Sequence, residues 1–265
     1  MVDLPGDRAL HAYCIGDARS GTTSLAAIFA TGFRSAHEPE RAPLLRNVLM
    51  VDEGRMSVAE LDQYLRDRDE CLSLEFDSSW ANYFVMERLA ALFPEAKFIQ
   101  LIRDCYTWVE SVINRLSAGV PPDVQDFLGW WFKPERYPYG KGDATLKEMG
   151  MYSLECYLTR WKNQVEVPPH VLARDRLLTV RTHEIATSLE TIATFLGVPV
   201  GALNPGESHR NRSAPSESVL SLVDERYLED TVTRVCGPTM ASHFPEIRSR
   251  RDSTAVWRGE ESSGD

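Results

Sequence analysis

The chain of 265 residues is 43% hydrophobic and 26% charged, the balance of a globular protein long enough to bury a substantial core. Its formal net charge of −10 argues against general binding of nucleic acid, which requires a basic surface. The five cysteines are scattered without close pairs, which is typical of reduced thiols and not of a disulfide framework or a zinc site.

The amino terminus and the hydropathy pattern indicate where the protein resides. Residues Met1 to Leu10 lack the apolar core of a signal peptide, and no later run reaches transmembrane length. We expect a soluble, cytoplasmic protein with no membrane partner. One domain is predicted over residues 1–265, with a frayed polar tail after Arg248. Nothing in the sequence indicates the oligomeric state.

Short apolar segments alternate with helical segments along the chain. Four apolar segments are predicted to form strands: Ala12–Gly16, Phe33–His37, Lys97–Ile102 and Leu177–Val180. Helices are predicted at Thr22–Ala30 ended by Gly32, at Asn82–Leu92 before Pro94, and at Thr187–Leu196 before Gly197 and Pro199. This alternation predicts an α/β fold, in which helices flank both faces of a mainly parallel sheet. Residues 116–150 interrupt the pattern with proline and aromatic clusters, and we interpret them as an insertion or lid.

A loop rich in glycine and hydroxyl groups joins the first predicted strand to the first predicted helix. It reads Gly16-Asp17-Ala18-Arg19-Ser20-Gly21-Thr22-Thr23-Ser24. In such a loop the backbone N–H groups converge on an anion at the positive end of the helix. The hydroxyls of Thr22, Thr23 and Ser24 add further donors. The alternative is an ordinary capped turn, because Ser and Thr are common at helix starts.

The loop differs from that of nucleotide triphosphatases in the position of its cation. The spacing nearly matches G-x-x-x-x-G-K-[ST], but Thr22 takes the place of the lysine and Arg19 supplies a cation three residues earlier. No convincing apolar strand ends in an aspartate for magnesium. These features favour transfer of a group whose charge arginine neutralises directly, without a metal.

A second arginine follows another predicted strand. Lys97–Ile102 leads directly into Arg103. Ligands of α/β sheets bind at the carboxyl ends of the strands, so Arg103 is a candidate for a second phosphate. A salt bridge, for instance with Asp104, or simple exposure to solvent are the alternatives.

These motifs resemble those of sulfotransferases that use 3′-phosphoadenosine 5′-phosphosulfate (PAPS). The segment 18–24 is similar to the family's 5′-phosphosulfate loop, above all to the arginine-containing loops of tyrosylprotein sulfotransferases and bacterial trehalose sulfotransferase. The segment 103–111 is similar to the 3′-phosphate motif, an arginine at a strand end with a serine eight residues on. Residues 178–185 and 195–199 are similar to the patterns R-Y-E-D-L and F-L-G-x-P, with Thr182 in place of the frequent tyrosine. Residues 208–213 are similar to the basic loop that closes over the cofactor.

The resemblance implies a P-loop nucleotide-hydrolase-like sulfotransferase fold. It also implies PAPS as donor, 3′-phosphoadenosine 5′-phosphate (PAP) as product and no metal. The residues implied to bind the cofactor come from the segments 18–24, 103–111 and 208–213. They are Arg19, Ser20, Gly21, Thr22, Thr23, Ser24, Arg103, Ser111, Arg210 and Arg212.

Sulfuryl transfer to a hydroxyl requires a base for the acceptor proton and a charge for the sulfuryl oxygens. Arg19 is the candidate charge. Glu38 is the first candidate for the base: preceding Pro39, it should be extended at a strand end. The Glu38-Pro39 pair also resembles that of the trehalose enzyme, whose glutamate is the proposed base.

Two alternatives for the base remain open. Histidine serves this role in the cytosolic branch of the family, which makes His37 a candidate. Strand alternation would place His37 and Glu38 on opposite sides, so that at most one faces the acceptor. Glu75 and Asp77, near Trp80, are the third candidates, because related enzymes carry a catalytic glutamate before a similar segment. Asp77 or Ser79 could instead cap a helix.

The acceptor is predicted to be a small molecule with a hydroxyl group: a phenol, a sugar or a natural-product alcohol. Aromatic residues of the insertion could line its pocket or form the insertion's own core: Trp130, Trp131, Phe132, Tyr137 and Tyr139. Two other functions remain open. A nucleotide-dependent kinase or hydrolase would require magnesium and a loop lysine, and a non-catalytic nucleotide-binding module would retain the loop without the base.

Overall fold

The computed structural model describes residues 8–207 and 219–258. The strands within these ranges are β1 Ala12–Cys14, β2 Ser35–His37, β3 Phe76–Ser78, β4 Lys97–Ile102 and β5 Leu177–Arg181. The α-helices are α1 Thr22–Phe29, α2 Arg41–Asp52, α3 Val58–Leu72, α4 Met86–Leu92, α5 Cys105–Ser117, α6 Gln125–Phe132, α7 Ala144–Glu148, α8 Leu154–Glu166, α9 Pro168–Val171, α10 Leu189–Leu196, α11 Glu225–His243 and α12 Arg250–Arg258.

The strands form one parallel sheet in the order β2-β3-β1-β4-β5. The central strand is β1, in which Ala12 pairs with Phe76 of β3 on one side and with Lys97 of β4 on the other. The chain passes from β1 to β2 and β3 on one side and only then to β4 and β5 on the other. The strand order therefore reverses at the carboxyl end of β1, where open α/β sheets bind ligands. The predicted α/β fold class is confirmed.

The described chain divides into two compact units. The first consists of residues 8–102 and 168–207 and contains the whole sheet. The second consists of residues 103–167 and 219–258 and is helical. Within residues 8–207 and 219–258, we find no helix with the length and apolar character that a membrane span requires. All five cysteines are free thiols in the structure; four of them are buried and Cys71 is exposed.

Both faces of the sheet in the first unit are covered by helices. On one face the alternating side chains of the strands pack against apolar residues of α1 and of α10, the latter at helical spacing. This core contains Ala12, Cys14, Leu25, Ile28, Phe29, Phe76, Ile99, Leu101, Leu189, Ile192, Ala193 and Leu196. On the other face Tyr13 stacks on Phe98, with ring centroids 5.7 Å apart, and its hydroxyl donates to Asp69 of α3.

Several element boundaries differ from those predicted, and β3 was not predicted at all. It has only three residues, Phe76-Asp77-Ser78, and its strand geometry depends on pairing with β1 and β2. The first helix ends at Phe29, close to the predicted end at Ala30, and its C-cap is Ala30 and not Gly32. A Cβ on Gly32 would lie 2.5 Å from the carbonyl oxygen of Ala202, so glycine is needed there for close approach of two backbone segments.

The remaining differences concern helices. The predicted helix at Asn82–Leu92 is a 3₁₀ helix over Trp80–Val85 followed by α4. Residues 116–150, which we interpreted as an insertion or lid, contain α6, α7 and short 3₁₀ turns. The tail after Arg248 is not frayed throughout, because α12 forms there and two of its side chains donate to the buried Asp104.

Candidate functional site

The loop between β1 and α1 bends sharply just before the helix. Arg19 and Gly21 both adopt left-handed backbone conformations, with φ of 70° and 96°. Turns of this kind form concavities of backbone N–H groups that bind anions. Gly21 is also closely packed: a Cβ there would lie 3.0 Å from Ile185 Cδ1 and 3.1 Å from Thr182 Cγ2. Any larger residue at position 21 would be strained in both respects.

Ser20 stabilises this loop from within. Its Oγ donates to the carbonyl oxygen of Asp17 at 2.5 Å, and its backbone N–H donates to the same oxygen at 3.1 Å. Asp17 in turn accepts from the backbone N–H of Ala18 at 2.7 Å. Ser20, which the sequence assigned to the cofactor, therefore uses both donors inside the loop and is almost completely buried.

Two hydroxyl groups that the sequence did not identify hold the loop in place. Thr182 Oγ1 contacts the carbonyl oxygens of Ser20 at 2.7 Å and Ile102 at 3.0 Å, and can donate its one proton to either. Ser78 Oγ donates to the carbonyl oxygen of Thr22 at 2.8 Å. Thr182 had signalled only a departure from the family pattern. Ser78 carried no signal, because its role depends on β3, whose strand pairing was not predicted.

The first turn of α1 is suited to an anion. The first N–H groups of a helix lack intrahelical acceptors, and this turn contains no acidic residue. The hydroxyls of Thr22 and Thr23 each lie 3.1 Å from Nε2 of His37, at the end of β2. Burial lowers the pKa of His37, although Glu38 opposes this shift. A neutral His37 can accept a hydrogen bond from either threonine hydroxyl.

Glu38 does not have the extended conformation that its position before Pro39 predicted. Its φ is 51°, and that of Glu40 is 50°, so left-handed residues flank the proline. Strand pairing ends here: the backbone N–H of Glu38 donates to the carbonyl oxygen of Ser78 at 2.9 Å, and the chain then turns into α2. The tertiary pairing outweighs the local preference of a residue that precedes proline.

Because the strand ends, the expected alternation of side chains also fails. His37 Nε2 lies 3.7 Å from Oε1 of Glu38, so the two side chains are neighbours and not on opposite sides. The other oxygen of Glu38, Oε2, accepts from Arg41 in α2. The carboxylate is thus held by Arg41 on one side and lies toward His37 on the other.

The third candidates for the base, Glu75 and Asp77, are engaged in contacts that hold neighbouring segments together. Glu75 accepts from the backbone N–H of Ala9 at 2.9 Å and of Arg34 at 2.8 Å. Desolvation acts to raise its pKa, but these donors outweigh it and the pKa is lowered. Glu75 precedes β3 and so lies at the amino end of the sheet. Asp77 is buried and forms an ion pair with Arg68 at 2.7 Å. Glu75 therefore lies at the opposite end of the sheet from Glu38, and Asp77 is more deeply buried than Glu38.

In the second unit, Arg103 is followed by Asp104 and then by α5. Asp104 caps this helix by accepting from the backbone N–H of Thr107 at 3.0 Å. Arg103 Nε donates to Thr107 Oγ1 at 2.9 Å, and Trp161 Nε1 donates to the carbonyl oxygen of Arg103 at 2.7 Å. Thr107 and Ser111 are four residues apart, so they lie on the same face of α5. The side chain of Arg103 therefore approaches the helix face that carries Ser111.

The aromatic residues of the insertion contribute to the core of the second unit. Phe132 is buried against Tyr152 and Tyr157, with ring centroids at 4.8 Å and 5.4 Å. Trp130 packs against the buried Phe127 at 5.1 Å. Tyr139 is 44% exposed. The interpretation as a folded core thus holds for Phe132, while an acceptor role for the more exposed aromatics stays a prediction.

A family model for the sulfotransferase domain matches residues 13–211, well over half of the chain. The chain belongs to the sulfotransferase domain family. Two solved structures are similar to it. The sulfotransferase domain from the Synechococcus PCC 7002 olefin synthase is 16% identical, with 96% of this chain and 94% of that chain covered and a TM-score of 0.40. The sulfotransferase domain from the curacin biosynthetic pathway is 14% identical, with 96% of this chain and 99% of that chain covered and a TM-score of 0.41. No curated protein matches the chain.

The matched region of this sulfotransferase includes most of the predicted site residues. Those that the first unit brings to the carboxyl ends of β1 and β2 are Arg19, Ser20, Gly21, Thr22, Thr23, Ser24, His37 and Glu38. Arg103 and Ser111 belong to the second unit. Arg210 and Arg212 lie outside the described residues.

Proposed function

We propose that this sulfotransferase transfers a sulfuryl group from PAPS to a hydroxyl group of a small-molecule acceptor. The observation that carries the proposal is the β1–α1 loop, in which the left-handed Arg19 and Gly21 precede a helix start with two threonine hydroxyls and no acidic residue. This loop supplies donors and positive charge for the 5′ end of an anionic nucleotide. The family match supports a sulfuryl group as the one transferred.

We assign a separate set of residues to each phosphate-bearing end of such a donor. At the 5′ end, the N–H groups and hydroxyls of Thr22 and Thr23 would bind the phosphosulfate oxygens, and Arg19 would neutralise their charge. For the 3′-phosphate we propose Arg103 and Ser111, because the Arg103 side chain approaches the Ser111 face of α5. Arg210 and Arg212 keep their proposed role in covering the donor on the sequence motif alone.

Bound PAPS would supply an activated sulfuryl group, with PAP as the group displaced. We propose that Glu38 accepts the proton of the acceptor hydroxyl as the acceptor oxygen forms its bond to sulfur. Arg41 would orient the carboxylate through Oε2, while Oε1 lies toward His37. Arg19 would stabilise the charge on the sulfuryl oxygens, an effect worth about 3 kcal/mol for one well-placed group.

His37 is proposed to position the phosphosulfate site and not to act as the base. Its Nε2 lies within hydrogen-bonding distance of the hydroxyls of Thr22 and Thr23, which belong to the helix start. Proton transfer from the acceptor to the same nitrogen would compete with those contacts. Oε2 of Glu38 accepts from Arg41, whereas Oε1 lies 3.7 Å from His37 Nε2, which is beyond hydrogen-bonding distance. We therefore assign the acceptor proton to Oε1.

A thermal-shift comparison of nucleotides tests this proposal. PAP should raise the melting temperature without added metal, since a ligand at about 100-fold above its dissociation constant stabilises the folded state by about 2.7 kcal/mol. ATP with magnesium should raise it much less. A strict magnesium requirement would instead favour a kinase or hydrolase. Binding of PAP without sulfation of any phenol, sugar or natural-product alcohol, followed with radiolabelled PAPS, would favour a non-catalytic module.

We also propose that the protein acts in the cytoplasm. Its five thiols are free and four of them are buried, which is the cysteine usage of a reducing compartment. Fractionation of the native host, followed by detection of the protein in each fraction, tests this.

A further inference from the structure

The carboxylate of Asp104 is completely buried and is shared between two helices of the second unit. Its Oδ1 accepts from the backbone N–H of Thr107 at 3.0 Å and from Ser253 Oγ at 2.6 Å. Its Oδ2 accepts from Trp257 Nε1 at 2.7 Å and from Thr107 Oγ1. Thr107 belongs to α5, whereas Ser253 and Trp257 belong to α12. Four donors satisfy a charge whose burial would otherwise be costly, so this cluster fixes α12 to the start of α5.

The same two helices enclose the side chain of Arg103. Its guanidinium carbon lies 4.2 Å from the centroid of the Trp257 ring, in a cation–π contact. Its Nε donates to Thr107 Oγ1, and its carbonyl oxygen accepts from Trp161. Tryptophan is the most favourable ring for such a contact. Trp161 thus holds the backbone of Arg103, while Thr107 and Trp257 hold its guanidinium group, through Nε and through one face of the plane.

We propose that α12 is a positioning element for Arg103, and that Trp257 thereby sets the preference of the enzyme for nucleotides with a 3′-phosphate. This inference rests on the proposed binding of the 3′-phosphate by Arg103. A guanidinium binds phosphate best through a planar pair of N–H groups, so the orientation of its plane determines the strength of the interaction. With Nε bound to Thr107 and one face against Trp257, that plane is fixed before the ligand arrives, which lowers the entropy lost on binding.

The test compares two nucleotides that differ only in the 3′-phosphate. We would measure the dissociation constants of PAP and of adenosine 5′-monophosphate (AMP) by titration calorimetry for the wild type and for variants of the full chain. Trp257→Ala should weaken PAP about three- to tenfold, the range expected for loss of a cation–π contact, and leave AMP unchanged. Trp257→Phe retains a ring but loses the donor to Asp104, and should have a smaller effect on PAP.

A matched pair on α12 separates positioning from general weakening of the helix. Ser253 donates to Asp104, whereas the neighbouring Thr254 donates only to the carbonyl oxygen of Arg250 in the contacts described for it. Ser253→Ala should reduce the preference for PAP about two- to threefold, as expected when one hydrogen bond to a buried charge is lost and its effect is only partly transmitted. Thr254→Ala should keep the wild-type ratio. If Trp257→Ala does not fold, Trp257→Phe and Ser253→Ala decide the matter.

The outcomes distinguish this inference from the proposed function on which it rests. If Arg103→Ala removes the preference for PAP while the α12 variants keep the wild-type ratio, the positioning role of α12 is wrong and Arg103 still binds the 3′-phosphate. If the wild type binds PAP and AMP equally, or if Arg103→Ala keeps the preference, the assignment of Arg103 itself is wrong. Equal weakening of both nucleotides in Trp257→Ala would mean that α12 supports the unit only in a general way.

Discussion

Arg68 Nη2 lies 2.7 Å from Oδ2 of Asp77, and the two side chains are only 3% and 4% exposed. The same nitrogen of Arg68 donates to the carbonyl oxygen of Pro39 at 2.8 Å. Burial raises the pKa of Asp77, and the guanidinium of Arg68 opposes that rise. The ion pair therefore joins α3 to β3 and also to the turn that carries Glu38. This turn contains two left-handed residues, a conformation that needs support from its surroundings.

We predict that removing one member of this pair destabilises the fold strongly. Arg68→Met leaves the carboxylate of Asp77 buried without its partner, which costs about 3–5 kcal/mol. The double variant Arg68→Met with Asp77→Leu removes both charges and should be more stable than Arg68→Met alone. Urea unfolding followed by circular dichroism measures both.

A neighbouring arginine on the same helix supplies the control for that experiment. Arg66 is exposed on α3, and Arg66→Met should change the free energy of unfolding by less than about 0.5 kcal/mol. The double variant, if folded, should still lose turnover, because Pro39 no longer has its donor. A loss in Arg68→Met as small as that in Arg66→Met would contradict the structural role of the pair.

The sequence was sufficient to locate strands that are apolar and that alternate with helical segments along the chain. β4 and β5 are strands of this kind. The loop after β1 could also be predicted, because its glycines and hydroxyl residues form a recognisable motif. β3 could not be found in this way. Two of its three residues are polar, and the buried Asp77 is stabilised there by Arg68 of α3, a tertiary contact that the three residues of the strand do not themselves indicate.

The same distinction applies to the site residues. Motifs made Arg19 and Glu38 candidates for the site, but the backbone of Glu38 was predicted incorrectly, since its conformation depends on a hydrogen bond to Ser78 in a neighbouring strand. The supporting roles of Ser78 and Thr182 were missed for a related reason. Each acts through contacts with residues distant in the sequence, and no local pattern records such contacts.

Thr182 provides a second prediction, which concerns the loop and not the 3′-phosphate. Thr182→Val keeps the shape of the side chain but removes the hydroxyl that contacts Ser20 and Ile102. Loss of this hydrogen bond should lower the free energy of unfolding by about 1 kcal/mol. A loosened loop should weaken PAP and AMP by the same factor, because both share the 5′-phosphate. Titration calorimetry measures this. Thr182→Ser retains the hydroxyl and should restore both affinities, and a selective loss of PAP in Thr182→Val would contradict the prediction.

The third prediction concerns pH and His37. Burial lowers the pKa of His37 below its ordinary value of 6.5, so below that pH the unfolded chain binds a proton that the folded chain does not. The stability contributed by neutral His37 is therefore complete above pH 6.5 and is lost as the pH falls through the folded pKa. Denaturant unfolding of the wild type should show a steeper loss of stability as the pH falls below 6.5 than that of His37→Gln. Parallel curves for the two proteins would show that His37 does not contribute to the pH dependence.

The last prediction tests the division of roles between Glu38, His37 and Arg19. Glu38→Gln keeps the shape of the side chain and removes the proposed base, so kcat should fall by about 10²–10⁴-fold while the affinity for PAP changes little. Arg19→Ala should reduce both, because its charge acts in the ground state as well as in the transition state. His37→Gln should weaken PAP more than it lowers kcat, since His37 contacts the hydroxyls of the helix start. Steady-state kinetics with radiolabelled PAPS and calorimetry with PAP measure the two effects separately.

An acceptor of low pKa provides the control for that series, because it ionises without help from the enzyme. Such an acceptor should restore much of the turnover of Glu38→Gln and none of that of Arg19→Ala, since a missing base can be bypassed and a missing charge on the sulfuryl oxygens cannot. If Glu38→Gln keeps wild-type turnover while His37→Gln abolishes it at saturating PAPS, the proton goes to His37. Loss of turnover in Asp77→Asn alone, with the fold intact, would move the base to β3.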